Sequence, residues 1–446
     1  MEIGLLVAAV FAATAFAAGG VGVPATFGAA PIKLVVSRHI GWEVNKTTRG
    51  KICAVASNDE CQSRKPSREA GGFEYPSSVA TNVKTGNLYV TDLDNFRVQE
   101  FTATGTFLSM FGWGVNETKD KQAGAAQWER NVCTAVSGDL CKAGALGGAA
   151  GQLSYPSSVT VDPITGDVYV LELGVGVRVD KYTADGRFLW MIGKDVNQTT
   201  KGNFCSEREI VESSVKCQVG ESNGSDSLEP GAFKSAQQYG DLLAVGGPEH
   251  LLYVADEHRV QEFDTEGKWK REILLVSISS EPEANVATLA VDKSGDVYLV
   301  YQVPSLETGT HVEAGETIRK FNRRGEQVAL FSVNPRRSSA IIHIDGIAMD
   351  SAGLMAVIGA EADVTFAKRF GLLYDAQTGL LMSEFAPPSD DDGLTLGSKD
   401  DLYVAATDDQ EIAAYVPAPL MELVTSPVPC ELGTEPAVAF NCALSG

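Results

Sequence analysis

The sequence predicts an all-β protein of six four-stranded antiparallel blades closed into a ring, a six-bladed β-propeller. Three observations predict it. A segment of about 40 residues recurs along the chain, the mark of a repeat architecture. Each copy alternates Val, Tyr and Phe with polar residues between D-G, T-G and S-G turns, the pattern of antiparallel hairpins. The copies carry no helical period.

The copies define the elements in order. Residues 75–112 read YPSSVATNVKTGNLYVTDLDNFRVQEFTATGTFLSMFG, and residues 155–193 read YPSSVTVDPITGDVYVLELGVGVRVDKYTADGRFLWMIG. A third copy spans Tyr239 to Leu275, and three more keep the pattern near 288–301, 346–359 and 393–406. In the second copy the strands fall at Ser158–Val161, Val168–Leu171, Val177–Tyr182 and Phe188–Ile192, with turns at Thr165-Gly166-Asp167 and Ala184-Asp185-Gly186. One such sheet leaves both faces wet, whereas a ring of six buries them. Two stacked β-sandwiches are the rival, and they rarely repeat their sequence in this way.

Closure of the ring requires a strand from one terminus in the blade of the other. Residues 33–42, KLVVSRHIGW, resemble a fourth strand, because Gly41-Trp42-Glu43-Val44-Asn45 matches Gly112-Trp113-Gly114-Val115-Asn116. The N-terminal strand is therefore expected to complete the sixth blade beside 402–405 and 411–416, giving a propeller over residues 31–416.

Composition bounds the function. The 446 residues suggest about three domains, or fewer for a large all-β unit. With 44% hydrophobic residues and a mean hydropathy of −0.03, the chain can bury a core. Lys and Arg number 36 against 58 Asp and Glu, a net charge of −22 that repels nucleic acid and anionic membrane. From Ile3 to Ala18 the chain is apolar and small, with an A-x-A pattern at Ala15-Phe16-Ala17. Residues 1–18 thus read as a signal peptide, although Glu2 stands where Lys or Arg is usual; an uncleaved anchor is the alternative. No later stretch is long and apolar enough to insert in a membrane.

The eight cysteines fall in close pairs, Cys53/Cys61, Cys133/Cys141, Cys205/Cys217 and Cys430/Cys442, and are expected to form four local disulfides. None is a C-x-x-C pair, so zinc is a weak rival. Disulfides persist in oxidising surroundings, which places the chain as secreted or on the cell surface.

The blocks Asp94-Asn95-Phe96-Arg97-Val98-Gln99-Glu100-Phe101 and Asp256-Glu257-His258-Arg259-Val260-Gln261-Glu262-Phe263 resemble NHL repeats. The resemblance is strong over about 75–275 and one of pattern alone over 287–415. The shared Asp and Arg read as blade scaffold rather than as a site. The second copy departs, with Leu-Gly-Val-Gly-Val before Arg178, and the last three copies lack Arg-Val-Gln.

Function is expected in the inserts. After the fourth strand, Val-Asn opens a long polar loop three times: Asn45 to about Glu74, Asn116 to about Ser154 and Asn197 to about Gln238. Each carries one cysteine pair, and propeller geometry gathers such connections on one side of the ring. Loops of this length are commonly functional, and cross-linking preorganises them for a partner. The expected role is a non-enzymatic recognition module that binds a protein or carbohydrate ligand at the insert face; disulfide-stitched ornament is the plain alternative. Asn45, Asn116, Asn197 and Asn223 each begin an N-x-S/T triplet. Three share one repeat position, so duplication of one ancestral triplet explains them.

The channel mouth is a second candidate. Aligned first strands place Ser77, Ser157, Asp241, Ala287, Asp345 and Asp392 at one position, where converging carboxylates would suit calcium or a basic ligand. Alternatively these residues cap backbone donors at strand starts. No cofactor is otherwise expected. Six-bladed relatives of this shape include amidoglycolate lyases with channel histidines and calcium-dependent gluconolactonase-like hydrolases, so a metal-assisted lyase or hydrolase is the alternative function. However, His39, His250, His258, His311 and His343 share no repeat position, and no G-x-S-x-G, H-E-x-x-H or P-loop occurs. Residues 417–446 read as a Pro-rich linker and the opening strands of an Ig-like or fibronectin-like module, or as a tail pinned by Cys430 and Cys442.

Overall fold

Alternating strands without helical cover must bury both faces of each sheet, and the chain does so by stacking sheets around an axis. The computed structural model describes residues 34–417 except 58, 63–64, 175, 220–228, 235–240, 257–258, 275–284, 303–316, 334–340, 363–366, 389–392 and 398–400. Asp392, Asn223, His258, His311, Cys430 and Cys442, with the expected signal peptide and C-terminal module, lie outside the described residues.

Six antiparallel sheets follow one another in chain order. Blade one comprises β-strands Pro76–Thr81, Leu88–Asp92, Arg97–Phe101 and Phe107–Phe111; blade two comprises Pro156–Val161, Val168–Glu172, Arg178–Tyr182 and Phe188–Asn197. Blades three to five begin at Leu243, Asn285 and Ile341 and end at Leu274, Ser332 and Phe385. The first strands of consecutive blades pack side by side right round the ring, blade six against blade one included.

The N-terminal strand closes the ring as its sequence predicts. Leu34–Gly41 lies antiparallel to Glu411–Pro417, with Leu34 opposite Pro417 and Ile40 opposite Ile412. Ile40 then packs with Val79, Leu88, Val90 and Phe101 of blade one and Tyr403 of blade six. The core therefore lies between blades. The second-strand tyrosines stitch these seams: Tyr89 donates to Ala184 O at 3.0 Å, and Tyr403 to Ala103 O at 3.3 Å, each in the outer hairpin of the next blade.

The inserts differ from expectation in one respect. The sequence predicts a loop over the face, yet each first turns back along the rim and adds a fifth strand: Ile52–Ala54 on blade six, Val132–Thr134 on blade one and Gly202–Ser206 on blade two. The outer edge of a fourth strand offers unpaired N–H and C=O groups, and these short segments pair with it. Among the described residues, blades three to five have four strands each.

Candidate binding groove

Each insert is pinned in the same way. The first cysteine lies in the fifth strand, opposite His39, Met110 or Met191 of the fourth (Cys53, Cys133, Cys205). The second cysteine bridges the Val-Asn asparagine, in the pairs Asn45–Cys61, Asn116–Cys141 and Asn197–Cys217. Disulfides join Cys53–Cys61, Cys133–Cys141 and Cys205–Cys217, with Cα atoms 5.5 to 5.6 Å apart. The three asparagines are buried. Asn45 Oδ1 accepts from the N–H groups of Thr47 and Thr48, and Asn197 Oδ1 from those of Thr199 and Thr200. Asn116 accepts from Lys119 N–H and donates to Val132 O and Asp139. These side chains build the insert rather than present a glycosylation acceptor. Asn45 also holds the Asp59 carboxyl below its ordinary range, with help from the Ser57 hydroxyl.

The return of each insert is clamped by the repeat motif. Arg97 is wholly buried, donating to Asp92 at 2.7 Å and to the carbonyls of Arg68, Glu69 and Gly72 at 2.8 to 3.0 Å. Gln99 accepts Gly71 N–H and donates to Gly72 O. Arg259 and Gln261 repeat this on Ala232 O and Gly231 N–H, and Arg178 reaches Gln152 O. The clamped triplets Gly71-Gly72-Phe73, Gly151-Gln152-Leu153 and Gly231-Ala232-Phe233 each begin with a glycine at φ 76 to 78°, which a side chain would strain. Their third residues are buried. The shared Asp and Arg are thus scaffold, as the sequence suggests, but scaffold for the inserts as much as for the blade. Burial pushes the Asp92 carboxyl up against the opposing pull of Arg97, and lifts Asp256 to about 6 despite Arg259.

The second and third inserts meet. Ala149 bridges Gln218, Val219 N–H donates to Gly148 O at 2.6 Å, and Ala150 N–H to Cys217 O at 3.4 Å. Between them opens a groove of about 350 Å³. One wall is the second insert with its helix Gln127–Asn131; the other is the third insert with its helix Glu207–Ser213. The floor is the outer hairpin of blade two, Tyr182 and Gly186 to Phe188. Trp113, Trp128, Phe188 and Ile210 line it, and Trp128 is half exposed with the Arg187 guanidinium 5.4 Å from its ring centre. Ser206 caps the Glu207 helix reciprocally with Glu209.

The channel mouth is organised differently. Ser77, Ser157, Ala287 and Asp345 each fall at a bulge in a first strand, so their alignment holds in space. Ser77 donates to Pro156 O and Ser157 to Leu171 O, both of them strand carbonyls. Asp241 accepts from the Ser78 hydroxyl and from Leu394 N–H, while Asp345 pairs with Arg369 at 2.5 Å. Among the described residues no three His, Cys, Asp or Glu side chains gather to hold a metal. The described histidines sit apart: His39 of the closing strand bonds Glu411, His250 bonds Asp162 of the neighbouring blade, and His343 is exposed. Burial works to raise Asp162, but the N–H groups of Thr165 and Ile164 and the His250 ring outweigh it and hold the carboxyl below its ordinary range.

With this geometry in view, residues 73–101, the stretch that holds Phe73, Asp92, Arg97 and Gln99, match the family described as NHL repeat. The chain is a six-bladed β-propeller with an NHL repeat. Among solved structures, this propeller is similar to a protein described as a putative gluconolactonase (13% identity, TM-score 0.41, covering 80% of this chain and 92% of that one). It is also similar to a gluconolactonase of Xanthomonas campestris (13%, 0.42, 81% and 96%) and to virginiamycin B lyase of Staphylococcus aureus (11%, 0.40, 83% and 85%). Comparison with curated proteins returns no match. The three disulfides fit oxidising, extracytoplasmic surroundings, and no helix of the described residues is long and apolar enough to cross a membrane.

Proposed function

We propose that the NHL propeller is a secreted or cell-surface, non-enzymatic recognition module whose ligand seats in the groove between the second and third inserts. The observation that supports this is the groove's construction. Its two walls are cross-linked by Cys133–Cys141 and Cys205–Cys217, laced by backbone hydrogen bonds, and lined by aromatic side chains. Such a cleft has the size and apolar lining of ligand pockets, and its walls lose little freedom on binding. The partner remains of the protein or carbohydrate class.

The test screens the folded chain and its Ile210→Arg variant, which places a charge in the groove, against peptide and glycan arrays, with elemental analysis alongside. Ligand binding lost in the variant, without turnover and without bound metal, is the expected result. Stoichiometric metal with turnover that survives in the variant would replace this reading with the metal-assisted lyase or hydrolase.

A further inference from the structure

We propose that the part of the protein or carbohydrate partner seated in this groove is a flat apolar group bearing one anionic charge; the inference rests on the groove being the ligand site. The body follows from the lining. Trp113, Trp128, Tyr182 and Phe188 are aromatic, and Ile210 and Val215 are branched aliphatic. Aromatic walls favour a planar apolar guest through offset or edge-to-face contact.

The charge follows from a local reversal. The chain carries −22 overall, yet the charged side chains lining the groove are Arg187, Lys216 and Glu207, two cations against one anion. Arg187 leans over Trp128, and its Nη2 lies 3.9 Å from Glu207, both groups nearly half exposed, so that pair is weak. Lys216 is exposed and has no ion pair among the described residues. An anion in the groove would be drawn by Arg187 and Lys216 on an otherwise acidic molecule, whereas a cation would be repelled at short range by the same two groups.

The position of the cations is built in. Gly186, at φ 84°, makes the tight turn that delivers Arg187 to the groove, and any side chain there would strike the Phe111 ring. Lys216 precedes Cys217, whose disulfide to Cys205 fixes it on the wall made by the third insert. Arg187 on the floor and Lys216 on the third-insert wall are therefore held by separate constraints.

The experiment titrates the full folded chain with three probes of one shape: naphthoate, naphthylmethanol and naphthylmethylammonium. Calorimetry is the readout, with tryptophan fluorescence following Trp113 and Trp128. Naphthoate is expected to bind once per chain and about tenfold more tightly than the neutral probe, with the cation weakest. Lys216→Glu should bring naphthoate down to the neutral probe's affinity, and Trp128→Ala should weaken all three, with melting curves confirming that both variants fold. If the neutral or cationic probe binds as tightly as naphthoate, the anion inference falls and the groove stands. If no probe binds, or Trp128→Ala binds all three as the parent does, the groove reading falls with it.

Discussion

Asp241 of blade three accepts a hydrogen bond from the Ser78 hydroxyl of blade one at 2.5 Å. Its other oxygen accepts Leu394 N–H of blade six at 3.1 Å, and its backbone carbonyl accepts Leu289 N–H of blade four. One buried residue thus ties four blades near the axis. Asp241→Ala leaves two buried donors without an acceptor, and should cost about 2–4 kcal/mol in urea unfolding. Asp241→Asn keeps one acceptor and should cost less. Both carboxylate oxygens already have donors, so millimolar calcium is expected to leave the melting midpoint where it was; a rise of several degrees would favour the channel-mouth cation site.

Blade two departs from blades one and three in the charge of its clamp. Where those have Gln99 and Gln261, it has Asp180, so Arg178 faces two buried carboxylates, Glu172 and Asp180, each at 3.0 Å. Burial raises both, and Arg178 only partly opposes it. Their folded-state pKa values lie above the unfolded ones, so the folded chain holds protons that the unfolded chain releases. Stability from these groups is then full below the unfolded carboxylate range and falls as pH rises through the folded values. Asp256 adds the same sign, its window running from 3.8 to about 6. Unfolding free energy measured from pH 4 to pH 8 should decline, and Asp180→Asn should flatten the decline, gaining most at pH 8. A slope that Asp180→Asn does not alter would mean that the pair carries no proton.

The repeat and its ring closure were legible because alternation and Gly turns recur at fixed spacing, and because Gly41-Trp42 repeats Gly112-Trp113. The fifth strands were not. Ile52–Ala54 and Val132–Thr134 are three residues long, too short for alternation to register. A signal was present in the shared spelling of CAVASNDEC at 53–61 and CTAVSGDLC at 133–141. Likewise the Arg97 and Gln99 clamp was visible as a motif, but its targets are backbone carbonyls, which leave no trace in side-chain identity. The glycines that begin the clamped triplets, Gly71, Gly151 and Gly231, recur every 80 residues and could have been found. The groove itself could not, since Trp128, Phe188 and Ile210 come from three separate segments that meet only when blade two is folded.

The Val-Asn asparagines carry structural work that their triplets disguise. Asn116 Oδ1 accepts Lys119 N–H at 3.0 Å, and Nδ2 donates to Val132 O and to Asp139 at 3.1 and 2.9 Å. Asn116→Ala should cost about 2–3 kcal/mol, the sum of a lost cap and a carbonyl left unpaired. In a glycosylating host, intact-mass measurement should show Asn45, Asn116 and Asn197 unmodified in folded protein. A glycan on Asn116 with the fold retained would contradict the burial.

The closing strand is where the ring is most exposed to a single change. Leu34–Gly41 lies between Glu411–Pro417 on one side and Ile52–Ala54 on the other, so it satisfies two strand edges at once. Ile40 is buried at the seam of blades six and one, and the tight turn at Gly105 sits against its side chain. Ile40→Ala should cost about 2–4 kcal/mol by lost burial and cavity, with unfolding still cooperative. Deletion of residues 32–41 is a different order of change. It strips the edge of Glu411–Pro417, leaves the fifth strand without a partner and uncovers apolar faces on two blades, so cooperative unfolding should vanish altogether. Supplying the strand as a separate peptide, with the sequence of residues 32–45, should restore a melting transition if the remaining blades hold their shape long enough to accept it. A truncated chain that melts as sharply as the parent would show that the ring does not depend on this strand.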